Sequence, residues 1–302
     1  MMSKICLISG DGIGGQLLSF QCAKLLQDKG HDVTILVSAR DDVFKPLNYL
    51  LGKKFKIIQI AENYQNDLLN FNDLHYTVLQ LVNQIFDEIY IVYPDLLFRH
   101  LRSFDYKKFN LSLQVIKDTR VLIEDWAPEK LIYLGLATST PGYLFPEINQ
   151  LIVNLAQKLP DYKIYLPNIK KWDKPVNLGD FSFIDHKNVH IHDSPDFLDS
   201  LEYLKKAAYG IFTCNGPSHI AHQLGIPKLI LDPQFNKIPW ISRWKDDYQD
   251  CIPINTAPEL VSSIVKHNIQ TECTQLIDRK FLYQILSQNP NPDWKNIFYL
   301  KY

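Results

Sequence analysis

Short β-rich runs alternate with helical patterns along the first part of this chain, break off, and then start again in the same style. Such alternation is the signature of βαβ units and a mainly parallel sheet, because two parallel strands need a crossover long enough to hold a helix. In the first series, strands are expected at Lys4 to Ser9, Asp32 to Val37, Phe55 to Ile60 and Glu88 to Val92. A helix is expected from Gln16 to Lys29, where Leu17, Phe20, Cys22, Leu25 and Leu26 recur at near-helical spacing and Gly30 supplies the stop. A second helix is expected over Tyr64 to Phe86, with Leu68, Leu69, Leu74, Val78, Leu81, Val82 and Ile85 on its apolar face. The stretch from Pro94 to Trp126 gives no decisive pattern.

The second series opens near Lys130 with a strand at Leu131 to Leu136, a turn-rich Ala137 to Tyr143, a helix at Pro146 to Leu159 and a strand at Lys163 to Leu166. It resumes with strand Val189 to Ile191, helix Asp196 to Ala207, strand Tyr209 to Thr213, helix Pro217 to Leu224 and strand Pro227 to Leu231. Ser194 followed by Pro195 reads as a helix start, a hydroxyl cap with proline at the first helical position. Two doubly wound halves joined around Ala127 to Lys130 account for the restart better than one very wide sheet. The expected domains are therefore residues 1–128 and 129–302, with the last helix a candidate to pack back on the first.

Composition narrows the function. With 302 residues, 46% apolar and 22% charged, the sequence predicts a folded, water-soluble protein of about two domains at roughly 100 to 200 residues each. Lys and Arg number 32 against 33 Asp and Glu, so no bulk charge draws the protein to nucleic acid or to an anionic membrane. Any bound anion must be held locally. Cys6, Cys22, Cys214, Cys251 and Cys273 are odd in number and include no C-x-x-C pair, which argues against a disulfide framework and a structural zinc site. The apolar run before Gly10 is too short for a signal segment, and no run approaches the ~18 apolar residues of a membrane span. A cytoplasmic protein is expected, and one N-x-S triplet at Asn110 carries no weight against that.

In doubly wound folds ligands sit beyond the carboxyl ends of the strands, so the loops there are where chemistry is sought. The first is Ser9-Gly10-Asp11-Gly12-Ile13-Gly14-Gly15-Gln16. Its glycines allow backbone amides close to an anion while the next helix presents its positive end. Gly10, Gly12 and Gly15 form a G-x-G-x-x-G spacing, and Ser38 and Arg40 follow the second strand where an NADP ribose phosphate would sit. The same glycines also suit a ligand-free tight turn, and Asp11 is either a general base or a turn residue. The second loop runs from Thr213 through Cys214, Asn215, Gly216, Pro217, Ser218 and His219 to His222. A buried strand there ends in a small polar turn and a proline opens a helix, so several free amides are expected to face a diphosphate. His219 lies on the first turn and His222 shares its face three residues on. A metal on this pair is not expected, because no acidic third ligand lies nearby.

The segment from Leu201 to Ala207, through Asn215-Gly216-Pro217-Ser218-His219-Ile220-Ala221, to Leu224-Gly225-Ile226-Pro227 resembles the donor-binding segment of lipopolysaccharide heptosyltransferases and related GT-B glycosyltransferases. Gly135-Leu136-Ala137-Thr138-Ser139-Thr140 with Phe145-Pro146-Glu147-Ile148 is similar to the loop opening that family's second domain, and Gly12-Ile13-Gly14-Gly15 resembles its acceptor-side glycine loop. The chain departs from the family in three places. Gly15 stands where an aspartate usually follows the glycine, Cys214 and Asn215 replace an acidic residue, and no lysine lies between Thr140 and Pro146. The start, Gly12 to Leu18 with Phe20 and Ala23, also looks like GDP-fucose-dependent fucosyltransferases, although their His-x-Arg-Arg motif is missing.

The resemblance implies an α/β fold of two Rossmann-like domains facing a cleft, and metal-independent transfer of a sugar from a nucleotide-diphosphate donor to a glycan or other hydroxyl acceptor. No further cofactor is implied. It places the donor diphosphate at Ser139, Thr140, Asn215, Gly216, Pro217, Ser218 and His219, and the acceptor against Gly12, Gly14, Gly15 and Gln16. Asp11 is the candidate base. Trp240, Arg243 and Trp244 suit either stacking on a sugar or base, with a charge for phosphate, or packing in a core. Asp246-Asp247 is read as solvated surface rather than a metal pair. Two other readings stay open: a GT-B-like protein that binds a glycan or a partner without transfer, and an NADP-dependent oxidoreductase resting on the first loop alone.

Overall fold

The computed structural model describes residues 2–8, 13–37, 47–51, 54–59, 85–91, 107–108, 119–122, 126–136, 145, 147–169, 185–194, 197–213, 215–232, 251–254 and 256–270. The chain forms two compact units, Met1–Glu124 and Asp125–Tyr302. Within the second, the Trp126 indole N–H donates to the Ala207 carbonyl at 2.9 Å, so residues ahead of the first strand of that unit are already part of it.

The N-terminal unit holds β1 (Lys4–Ile8), α1 (Ile13–Asp28), β2 (Asp32–Val37), β3 (Lys56–Gln59), β4 (Glu88–Ile91) and β5 (Lys107–Lys108). Its sheet is parallel throughout, in the order β3-β2-β1-β4-β5. Central β1 buries Ile5, Cys6, Leu7 and Ile8 in succession, the continuous apolar run of a parallel strand covered on both faces. Burial pushes the Cys6 thiol up to about 12 and raises that of Cys22 as well, which leaves both as inert packing groups. Helix α1 buries most of its circumference rather than one stripe: Gln16, Ser19 and Gln21 are enclosed along with Leu17, Phe20 and Cys22. The Ser19 hydroxyl donates to the Gly15 carbonyl at 3.0 Å, and the Gln21 amide to that of Thr119 at 3.1 Å. Gly30, at φ 85°, closes the helix as expected.

The C-terminal unit holds β6 (Glu129–Gly135), α2 (Ile148–Lys158), β7 (Lys163–Ile169), β8 (Val189–Ser194), α3 (Phe197–Lys205), β9 (Ala207–Thr213), α4 (Gly216–Leu224), β10 (Lys228–Asp232), β11 (Cys251–Pro253) and α5 (Pro258–Gln270). Its parallel sheet has the order β11-β10-β9-β6-β7-β8. Numbered from its own first strand this is 6-5-4-1-2-3, and the other sheet reads 3-2-1-4-5. Both are the doubly wound order of Rossmann-type folds, in which winding reverses between the first and fourth strands. The reversal lies between β1 and β4 in one unit and between β6 and β9 in the other.

Alternation along these strands decides which helix covers which face. Ile132, Leu134, Ile164, Leu166, Ile211 and Leu229 share one core cluster with the apolar residues of α2 and α5. Residues of opposite parity, Tyr133, Tyr165 and Phe212, form a line of rings on the other face, with centroids 5.5 Å apart between the tyrosines and 5.9 Å from Tyr133 to Phe212. Tyr203 of α3 stacks on Tyr165 at 4.1 Å, and the Tyr133 hydroxyl lies 2.6 Å from Ser200 Oγ. Phe212 has room only because Gly210 and Gly135 lie beneath its ring: a Cβ on Gly135 would meet Phe212 at 2.5 Å, and one on Gly210 would overlap it more deeply.

Two expected boundaries are corrected. Ser194 does not cap a helix: it is the last residue of β8, pairs with Ile169, and puts its buried hydroxyl 3.3 Å from that of Tyr165. Continuation of the parallel ladder outweighs the local capping preference, and α3 begins at Phe197. Ala207, expected to end that helix, opens β9 opposite Glu129. Apart from its last two residues, the helix expected over Tyr64 to Phe86 lies outside the described residues, as do the turn at Ala137 to Tyr143, Pro195 and every residue after Gln270.

Candidate functional site

Strand β9 ends at Thr213 on the carboxyl edge of the sheet, beside β6 and at the reversal of winding. Two residues later Asn215, in extended conformation, caps α4. Its Oδ1 accepts from the Ser218 backbone N–H at 3.1 Å, the Ser218 hydroxyl donates to the Asn215 carbonyl at 2.6 Å, and the Asn215 N–H reaches Ser218 Oγ at 3.4 Å. This is a capping box, with serine doing the work glutamate more often does. The Asn215 Nδ2 meanwhile donates to the carbonyl of Gly135, the last residue of β6, at 2.5 Å, and lies 3.3 Å from Thr213 Oγ1.

These bonds revise the donor inventory read from sequence. Pro217 has no N–H, and the Ser218 N–H and hydroxyl are both held by Asn215, with Ser218 fully buried. Of the first three helical residues, only Gly216 keeps a backbone N–H that the box does not use. Several free amides were expected at this turn. The cap takes one, proline removes another, and the positive end of α4 remains. Asn215 and Ser218 use their side chains to shape the turn.

His219 follows on the first turn, half-buried. His222, although three residues along the same helix, serves a different end of the sheet. Its Nδ1 lies 3.5 Å from Nζ of Lys228, the buried first residue of β10, at the edge opposite the strand ends that carry Asn215. An ammonium donor there needs an unprotonated Nδ1, so His222 holds the lysine rather than facing the anion end of α4. Among the described residues no three His, Cys, Asp or Glu side chains gather as a metal site.

In the N-terminal unit, Gly14, Gly15 and Gln16 were expected in an acceptor-side loop, but they form the first turn of α1 together with Ile13. Gly14 and Gly15 are half-buried and Gln16 is fully buried. The helix starts three residues earlier than the glycines suggest, because enclosure of α1 on nearly all sides outweighs the poor helical propensity of glycine. Asp11, Gly12, Ser38, Arg40, Ser139, Thr140, Trp240, Arg243, Trp244 and Asp246-Asp247 lie outside the described residues.

Sequence reasoning missed Gly135 as a hydrogen-bond acceptor, a contact spanning 80 residues. It also missed the cluster beneath α3, where His192 Nε2 lies 2.9 Å from Asp199 Oδ2 and its ring 5.0 Å from that of Tyr203. The clue was the alternation Tyr133-x-Gly135 and Gly210-x-Phe212, which pairs a ring with an absent side chain on a common face.

No family model and no curated protein sequence matches the chain. Solved structures do. ADP-heptose lipopolysaccharide heptosyltransferase II of E. coli superposes with a TM-score of 0.58 at 12% identity, covering 89% of this chain and 99% of that one. The glycosyl transferase family 9 protein of Veillonella parvula gives 0.60 at 13% identity over 89% and 98%. The fold is of the GT-B type. A Listeria monocytogenes protein assigned as a UDP-N-acetylglucosamine 2-epimerase gives 0.54 at 12% identity over 94% and 91%, so a GT-B fold alone does not fix the reaction. No described helix of this GT-B-like chain is long and apolar enough to cross a membrane.

Proposed function

We propose that this protein is a glycosyltransferase that takes a nucleotide-diphosphate sugar at the carboxyl edge of its C-terminal sheet and passes the sugar to a hydroxyl acceptor. The observation that carries this reading is the start of α4: a capped, proline-containing helix that opens at the reversal of winding with Gly216 and His219 on its first turn. The similar solved proteins named for ADP-heptose and for UDP-N-acetylglucosamine share nucleotide-diphosphate sugars as a ligand class. The heptosyltransferase-like motifs around Asn215 to Ala221 favour transfer over epimerisation.

In the proposed reaction the acceptor oxygen bonds to the anomeric carbon as the bond from that carbon to the diphosphate oxygen breaks, its electron pair leaving with the diphosphate. The acceptor proton passes to a carboxylate, for which Asp11 is the candidate. The Gly216 N–H, the His219 ring and the positive end of α4 stabilise the departing charge more than the bound ground state, which is what lowers the barrier. Ser139 and Thr140 supply hydroxyls from the loop after β6. Transfer is proposed to proceed without a metal, so activity should survive EDTA. Loss of activity restored by manganese or magnesium would overturn that clause.

Calorimetry with ADP, GDP, UDP and CDP tests the donor half, and absence of binding by all four at millimolar concentration would defeat it. The departures at Gly15, Cys214 and the missing lysine favour a second reading, a GT-B-like protein that binds a glycan or partner without transfer. Nucleotide binding with neither donor hydrolysis nor transfer across an acceptor panel would select it. Thermal shift with NADP in the same panel addresses an oxidoreductase.

A further inference from the structure

We infer that the side-chain amide nitrogen of Asn215 is a latch that ties the end of β6 to the start of α4, making Asn215 a positioning residue for the diphosphate. This rests on the nucleotide-sugar reading of the same edge. An N-cap needs only an acceptor, and serine, threonine or aspartate would satisfy it as well as asparagine. Of the Asn215 side chain, the capping box uses only Oδ1, the Ser218 hydroxyl supplying the other half. The Nδ2 is not needed for it, yet that atom makes the 2.5 Å bond to Gly135.

The place of that bond gives it meaning. The β6–β9 ladder ends where Gly135 pairs with Phe212, at the reversal of winding, with the strand that follows β6 on one side of this pair and the strand that follows β9 on the other. A hydrogen bond from Asn215 back to Gly135 ties the β9 exit to the β6 exit past the last ladder pair. Ser139 and Thr140 follow Gly135 by four and five positions in the sequence. Fixing both exits before a ligand arrives removes an ordering cost that binding would otherwise bear.

Asn215→Ser and Asn215→Asp both keep a cap acceptor and lose the N–H, and aspartate also sets a carboxylate against the Gly135 carbonyl. Hydrogen exchange on the ligand-free protein should quicken about fivefold in residues 131–145, the scale of one lost hydrogen bond, while residues 216–224 hold their protection. Nucleoside diphosphate Kd and donor KM should rise about fivefold to tenfold, with a smaller change in kcat, since Asn215 does not touch the reacting atoms. Unchanged exchange over 131–145 in both variants overturns the latch, and so does quickened exchange confined to 216–224. Quickened exchange over 131–145 with unaltered affinity overturns its role in positioning. A wild-type protein that binds no nucleoside diphosphate defeats the nucleotide-sugar reading instead, while the exchange result still decides the latch.

Discussion

The two units wind their strands in the same order yet finish the reversal point differently. After β9, side chains build the turn: Asn215 caps, Ser218 answers, and the helix leaves His219 half-exposed on its first turn. After β1 the following helix begins with Ile13, Gly14 and Gly15 and is then enclosed on nearly every side. Topology brings loops together at one edge of each sheet, and the residues of the first helical turn decide what that edge can do. One edge carries His219 and the positive end of α4, the features on which the donor proposal rests. The other places no ionisable side chain on that turn, and the acceptor site and the base Asp11 are proposals there.

The sharpest way to break that division of labour is to change one residue on each side. Asp11→Asn should lower kcat by about 10²-fold or more, the scale of general-base catalysis, with nucleotide affinity nearly constant. His219→Ala should instead weaken nucleoside diphosphate binding by about 1 to 2 kcal/mol, one charge-assisted hydrogen bond. Full turnover in the first variant would place the base elsewhere. Unaltered affinity in the second would remove His219 from the donor site.

A second contrast is steric and applies to the C-terminal sheet. Gly210→Ala should destabilise the protein by about 2 kcal/mol, because the new methyl group enters the space of the buried Phe212 ring. Phe212→Leu should recover part of that loss in the double variant, as measured by urea unfolding. Strict additivity of the two changes would mean that the ring does not impose glycine at 210.

Much of this architecture was legible because parallel strands buried on both faces read as continuous apolar runs, as at Cys6 to Ile8 and Leu131 to Leu134. Asn215 to His219 stood out because the cap, proline and small residues all lie within five positions. What stayed hidden depends on distance along the chain or on enclosure. Nothing near Asn215 announces a partner 80 residues away, and nothing near His222 shows that Lys228 is folded under it. Gly14 and Gly15 read as loop because the burial that holds them in α1 comes from the rest of the unit.

Alkaline pH tests the ring face of the C-terminal sheet. Burial is the main cause that pushes the Tyr165 hydroxyl from its ordinary 10.0 up to about 12, and burial raises Tyr133 as well. Below pH 10 folded and unfolded chains are both protonated there. Above it the unfolded chain releases the proton first, so stability falls as pH rises, by up to ~1.4 kcal/mol per pH unit for each tyrosine until the folded group ionises. Unfolding free energies from pH 9.5 to 11.5 should therefore fall less steeply in Tyr165→Phe than in wild type. Parallel slopes would show that Tyr165 ionises in the folded protein as readily as in the unfolded chain.

The smallest expected effect compares two chain reversals of matching geometry. Gly30 after α1 and Gly225 after α4 both adopt the left-handed conformation, at φ 85° and 77°. A Cβ at Gly30 would meet nothing within 4 Å, so Gly30→Ala pays only the conformational cost, about 1 kcal/mol. Asparagine tolerates this conformation better than alanine, and Gly30→Asn should lose less. Gly225→Ala should match Gly30→Ala to within about 0.5 kcal/mol if backbone conformation alone sets the cost in both units. A much larger loss at Gly225 would show that the end of α4, unlike that of α1, is held by packing as well, and equal losses for alanine and asparagine at Gly30 would remove the left-handed conformation as the cause.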